Sequence, residues 1–142
     1  MGPADDPTLA ASIDAFVAAI RSKDIAGVMD AFAPEVVSFD IGPPLQHGGG
    51  EEFRKRWQAV FDLFPGPIGY EVAELQVQSS QDLAWTRSLN RMHGTTRDGE
   101  VDRWLRWTAC WRKAEGRWRI VHEHVSVPVD LRGGKALLAL KP

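Results

Sequence analysis

The sequence predicts an α+β domain whose helices are segregated to one face of a strongly bent, mostly antiparallel sheet. Two patterns predict it. The first third of the chain carries apolar residues at helical spacing, and the second half alternates long β-like runs with short turn signals. Composition sets the scale. With 142 residues, 44% hydrophobic and 25% charged, the chain has the make-up of one globular domain able to bury a substantial core.

The elements follow in order. Asp6-Pro7 offers an N-cap with proline at the first helical position, and Leu9, Ile13, Phe16, Val17 and Ile20 then share one helix face. A short second helix follows Asp24, with Ile25, Val28, Met29 and Phe32 on its apolar side, and Pro34 stops it. Residues 36–41 are β-branched and aromatic and read as a strand, which Gly42-Pro43-Pro44 ends. Residues 46–50 form a glycine-rich loop with neither the Lys-Ser/Thr nor the GxGxxG spacing of a phosphate cradle. The third helix places Phe53, Trp57, Val60, Phe61 and Phe64 on one side before Pro65-Gly66-Pro67.

A meander fills the second half. Residues 68–78 alternate, with Tyr70 and Val72 on one face and Ala73, Leu75 and Val77 on the other. Strands over 83–96, 101–112 and 117–127 are separated by Asp98-Gly99 and by the turn at 113–116. Trp104, Trp107 and Trp111 also fit helical spacing, but the bracketing turns decide for a strand. The tail, 131–142, has a Gly133-Gly134 hinge and a short apolar run. It is expected to pack over the pocket mouth or against a partner subunit.

Seventeen Lys+Arg face nineteen Asp+Glu, a net charge of −2 and a pI near 6.1. That balance gives no support for a nucleic-acid or anionic-membrane partner. Cys110 is the single cysteine, so neither an internal disulfide nor a cysteine-rich zinc site is available. The acidic first six residues lack a signal pattern, and no apolar run approaches a membrane span. The expectation is a cytoplasmic protein. Six tryptophans against one tyrosine supply either a heavy core or the wall of an apolar pocket.

Three stretches carry a resemblance. They are residues 16–24, residues 32–40 with the glycine loop after them, and the closing hairpin 111–126 with its His122-Glu123-His124. Together, over roughly residues 8–130, the chain resembles the SnoaL-like and ketosteroid-isomerase-like branch of the nuclear transport factor 2-like (NTF2-like) superfamily. The resemblance implies a conical α+β barrel that pairs as a homodimer through the outer face of its sheet. It also implies a range of activities: isomerases, polyketide cyclases, dehydratases, epoxide hydrolases and non-catalytic association or transport modules. Asp40 falls where the steroid isomerases keep their general-base aspartate. Phe16 matches their oxyanion-hole tyrosine, and Thr108 or a neighbour matches their second aspartate. The two donors of that oxyanion hole are thus missing, which argues against steroid isomerase chemistry.

The candidates are weighed between functional and structural readings. Asp40, after an apolar strand and before a rigid turn, is a proton acceptor at a cavity mouth or the cap of that turn. His122 and His124 share one strand face with Ser126, opposite Glu123. They orient or protonate a substrate, form structural hydrogen bonds, or, third in rank, bind a metal with Asp40 or His93. Arg91 and His93 hold an anionic or carbonyl group, or belong to a solvated charged face. Trp104 shares a face with Arg106, Thr108 and Cys110, and its indole N–H is a candidate oxygen donor; Trp107 and Trp111 lie opposite. Trp57 and Phe61 wall the pocket or fill the core. Cys110 reads as a small buried hydrophobe.

The reading is a cofactor-independent enzyme of isomerase, cyclase, dehydratase or hydratase type, acting on a small, mostly apolar, carbonyl-containing molecule. Asp40 and His124 are expected to converge in one cavity as base and acid, with no metal. The alternative is a non-catalytic ligand-binding or association module.

Overall fold

A computed structural model describes residues 6–142; the acidic start at 1–5, read above for a targeting signal, lies outside the described residues. Helix α1 (Pro7–Arg21) starts where its cap predicts, with the Asp6 carboxylate accepting the Thr8 backbone N–H at 2.9 Å. Helix α2 (Ile25–Asp30) is capped in the same way, Asp24 accepting from the Gly27 N–H at 3.1 Å.

Strand β1 (Phe32–Phe39) begins at Phe32 rather than at Val36. The reason is tertiary pairing: the Ile120 N–H reaches the Ala31 carbonyl at 2.8 Å, and Phe32 lies in register with Ile120. Pro34 is tolerated because β1 is an edge strand. The free edge is covered by the glycine loop, where Ser38 and His47 exchange backbone hydrogen bonds at 2.9 and 2.8 Å. Helix α3 (Glu51–Asp62) then leads to β2 (Gly69–Ser80), β3 (Leu83–Thr96), β4 (Gly99–Ala114) and β5 (Arg117–Ser126). The sheet order is β1-β5-β4-β3-β2, parallel between β1 and β5 and antiparallel elsewhere. This is the expected α+β cone: a curved, unclosed five-stranded sheet with three helices against its concave face.

The core lies between these layers. Leu9, Phe16 and Ile20 of α1 are fully buried with Trp111 and Ile120 of the sheet. Phe16 stacks on Trp107 with ring centroids 5.5 Å apart. The tryptophan-bearing segment is strand, and its inward face is the one carrying Leu105, Trp107, Ala109 and Trp111.

Two β-bulges reset the alternation. On β2, Ala73 pairs with Leu89 but Gln76 pairs with Arg87, and Glu74 takes the left-handed conformation (φ 53°). The extra residue puts Tyr70, Val72, Leu75 and Val77 all toward the core, correcting the split read from strict alternation. On β5, Cys110 pairs with His122 but Trp111 pairs with Ile120, leaving Val121 over. Trp118 and Ile120 therefore face inward before the bulge, and Glu123 and Val125 after it. The tail turns back on its own start, Leu137 donating to the Pro128 carbonyl at 2.9 Å and Val129 bridging to Ala136. It is not among the cavity-lining residues.

Candidate functional site

The concave face and the helices enclose a cavity of about 290 Å³, at the small end of the usual range for ligand sites. Its walls are apolar. Phe16 of α1, Trp57 and Val60 of α3, and Met92, Leu105 and Val125 of the sheet face it. Five groups break that surface: Asp40, Arg56, Tyr70, Asn90 and Glu123.

Glu123 is the deepest of the charged pair of carboxylates, with 4% of its surface exposed. The Val121 bulge turns it inward, where the Ser38 hydroxyl donates to one oxygen at 2.8 Å and the Trp107 indole N–H to the other at 3.0 Å. Burial pushes its carboxyl up to about 7, the two hydrogen bonds hold the rise in check, and the Asp40 charge adds to it while Arg56 subtracts. A carboxyl poised there can give or take a proton at neutral pH.

Asp40 and Arg56 form an ion pair of 2.9 Å at the cavity wall, each about one-third exposed. The second oxygen of Asp40 accepts the Ile41 backbone N–H at 2.7 Å. Further in, Tyr70 is buried and receives the Asn90 amide N–H at 2.7 Å, while the Ser88 hydroxyl donates to the Asn90 carbonyl oxygen at 2.6 Å. Burial raises the Tyr70 hydroxyl well above its ordinary range, against the Asn90 hydrogen bond and with the charges of Glu123 and Asp40.

The sequence-predicted residues divide between the two faces of the sheet. Asp40 and Trp57 line the cavity. Phe61 is buried beside Trp57, with ring centroids 5.9 Å apart, but in the core rather than on the wall. The others point outward. Arg91 makes a two-pronged ion pair with Asp102, both contacts at 2.8 Å. His93 meets Glu71 at 3.1 Å with its ring packed on Gly69, where a Cβ would lie 2.2 Å from the imidazole. Trp104 lies across from Arg91 in register, on the opposite face from Trp107, so its indole cannot serve as the cavity's oxygen donor. The His122 ring contacts the Val37 carbonyl at 2.6 Å and packs on Phe39. His124 is exposed and borders, together with Asp40, an outer groove along residues 39–46. Asp40 and His124 thus meet at that outer groove, whereas the apolar cavity is lined by Asp40 and not by His124. The bulge at Val121 reverses the inward set, so Glu123 enters and both histidines leave.

Sequence reasoning missed Glu123, Tyr70 and Asn90. The signal for Glu123 was present: inward apolar residues at 118 and 120 resume at 125 and 127, an odd step that only an extra residue explains. Among the described residues, no cluster of three or more His, Cys, Asp or Glu side chains is placed to hold a metal ion, and no helix is long and apolar enough to cross a membrane.

A model of the SnoaL-like domain matches residues 9–130. No curated protein matches the chain. Among solved structures, an NTF2-like protein of unknown function from Pseudomonas putida KT2440 is 33% identical, covering 100% of this chain and 99% of that one, with a TM-score of 0.87. A ketosteroid isomerase-like protein from Erwinia carotovora atroseptica SCRI1043 is 24% identical over 84% of this chain and 93% of that one, with a TM-score of 0.70. A protein of unknown function with a cystatin-like fold, from Nostoc punctiforme PCC 73102, is 16% identical over 88% and 92%, also at 0.70. The last two bear on the fold alone.

Proposed function

The chain belongs to the SnoaL-like domain family, and from that premise we propose that it is a small-molecule enzyme working by acid–base proton transfer. Isomerases, dehydratases and cyclases all occur within this family. Glu123 is the proton-transferring group, in place of the Asp40–His124 pair. The substrate is a small, mostly apolar molecule carrying a carbonyl, and no cofactor enters the reaction. The observation that carries this reading is a buried carboxyl, raised to about 7, on the wall of an otherwise apolar cavity. Asp40 is better suited to tune that carboxyl than to act as base, because one of its oxygens is bonded to backbone and the other to Arg56.

A second reading is favoured by one observation: both Glu123 oxygens already accept a hydrogen bond. In that reading the cavity binds its ligand without transforming it. Deuterium exchange separates the two. A panel of small cyclic and aryl ketones is incubated with the protein in heavy water, and label next to the carbonyl is followed by NMR. Enzyme-dependent exchange of at least one ketone is expected, falling roughly 10²–10⁴-fold in Glu123→Gln. Ketones that bind but never exchange would establish the binding module.

A further inference from the structure

We propose that the Tyr70 hydroxyl is the donor that grips a ligand's oxygen in this cavity, aimed by a one-way hydrogen-bond relay from Ser88 through Asn90. The inference rests on the cavity being the ligand site proposed above. It deepens that reading by naming what the ligand must carry: an oxygen that accepts a hydrogen bond, on an otherwise apolar molecule.

Ser88, Asn90 and Tyr70 are 6%, 1% and 5% exposed, so their polar atoms depend on one another rather than on bulk water. An amide has one end that only accepts and one that only donates. The Ser88 hydroxyl donates to the Asn90 carbonyl oxygen at 2.6 Å, and the amide nitrogen faces Tyr70 at 2.7 Å. Tyr70 therefore accepts a hydrogen bond from Asn90, and its own O–H is not used in that contact. Among the described residues no acceptor takes that proton, and both Tyr70 and Asn90 line the cavity. A buried O–H with its lone pair occupied and its hydrogen free is a built site for a carbonyl oxygen.

The strand geometry supports the same assignment. Tyr70 comes from β2, and Asn90 pairs across from the neighbouring inward residue Val72 on β3. Ser88 follows two residues back on the same inward face of β3, opposite the β2 bulge at residues 74–75. The relay is thus fixed by the sheet and does not depend on a mobile loop. Its surroundings are apolar, with Met92 and Leu105 beside it on the wall. A hydrocarbon would leave the Tyr70 hydrogen without a partner, whereas a ketone of the same shape would not.

The test uses a matched pair, acetophenone and α-methylstyrene, which differ by a carbonyl oxygen against a methylene group. Binding is followed by NMR titration of the indole N–H signals of Trp57 and Trp107. The native protein is expected to prefer the ketone by about tenfold, the yield of one neutral hydrogen bond. Tyr70→Phe should abolish that preference while leaving the hydrocarbon's affinity unchanged. Asn90→Asp reverses the relay, because its carboxylate accepts the Tyr70 proton, and should abolish the preference with the tyrosine still present. A merely structural Tyr70 would weaken both probes alike. An equal loss, or no preference in the native protein, overturns the inference while the cavity remains the ligand site. Failure of both probes to perturb either indole overturns the cavity reading itself.

Discussion

Glu123→Gln should remove a pH dependence of stability that the native chain carries. In the fold the Glu123 carboxyl sits at about 7, against an ordinary value of 4.5. Between these values the unfolded chain has released the proton and the folded chain still holds it. The folded state binds more protons, so the free energy of unfolding falls as pH rises, and the fall ends above the folded value. At about 1.4 kcal/mol per pH unit, the difference is on the order of 3 kcal/mol. Glu123 is only 4% exposed, so solvent screening takes little from that figure. Glutamine stays neutral throughout. Its carbonyl oxygen can take the Trp107 N–H and its amide can donate to Ser38, whose hydroxyl is free to turn. Urea unfolding of both proteins from about pH 5 to about pH 8 reads the effect. The variant should gain on the native chain by that amount across the range. Asp6, held low by the Thr8 hydroxyl, and Asp102, held low by Arg91, act below this window. Parallel curves for the two proteins would show that Glu123 ionises as readily in the fold as in the open chain, and would remove the basis for its proposed role.

Arg56→Met deletes the cation that lowers Glu123 and leaves the Asp40 charge unopposed, so the Glu123 midpoint in a carbon-13 NMR titration should rise. Asp40→Asn should move it down, and two unmoved midpoints would contradict the coupling. Ile120→Ala empties a fully buried position and should cost about 2–5 kcal/mol in urea unfolding; a loss below about 1 kcal/mol would mean the helix and sheet layers are not packed there. His124→Ala, at an exposed outer-face position, should leave acetophenone binding unchanged, and a marked loss would return that histidine to the site. The convex face exposes Leu83 (56%) and Trp85 (43%), an apolar surface suited to pairing with a second copy. Light scattering should give twice the chain mass, and a monomer at micromolar concentration would refute the pairing.

The elements were legible in the sequence because each rests on local chemistry. Asp6 and Asp24 cap the helices they were expected to cap, and the turn signal at Asp98 falls between β3 and β4, one residue earlier than read: Arg97-Asp98 form the turn and Gly99 pairs with Thr96. The start of β1 was not legible. Phe32, at helical spacing after Val28 and Met29, looks like the last turn of α2. It joins the sheet because β5, nearly ninety residues later in the chain, offers a partner along that edge. Local propensity gave way to a pairing that no short window contains.

The site was less legible than the fold, for a related reason. Alternation assigns faces only while the register holds, and one extra residue inverts everything after it. With Val121 counted in step, His122 and His124 take one face and Glu123 the other, but the inward face is then named wrongly. With Val121 bulged, the buried run is Trp118, Ile120, Glu123, Val125, and the single carboxylate in it stands out. The same correction on β2 carries Leu75 and Val77 to the side of Tyr70 and Val72. Both bulges therefore act on function. The β5 bulge places an acid among aromatic rings, where burial raises it, and sends two histidines to the outer face. The one on β2 lies opposite Ser88, the residue bonded to the Asn90 carbonyl oxygen. A chain with the same composition and unbroken registers would keep the fold's outline but present the cavity with a histidine face, and its chemistry would differ accordingly.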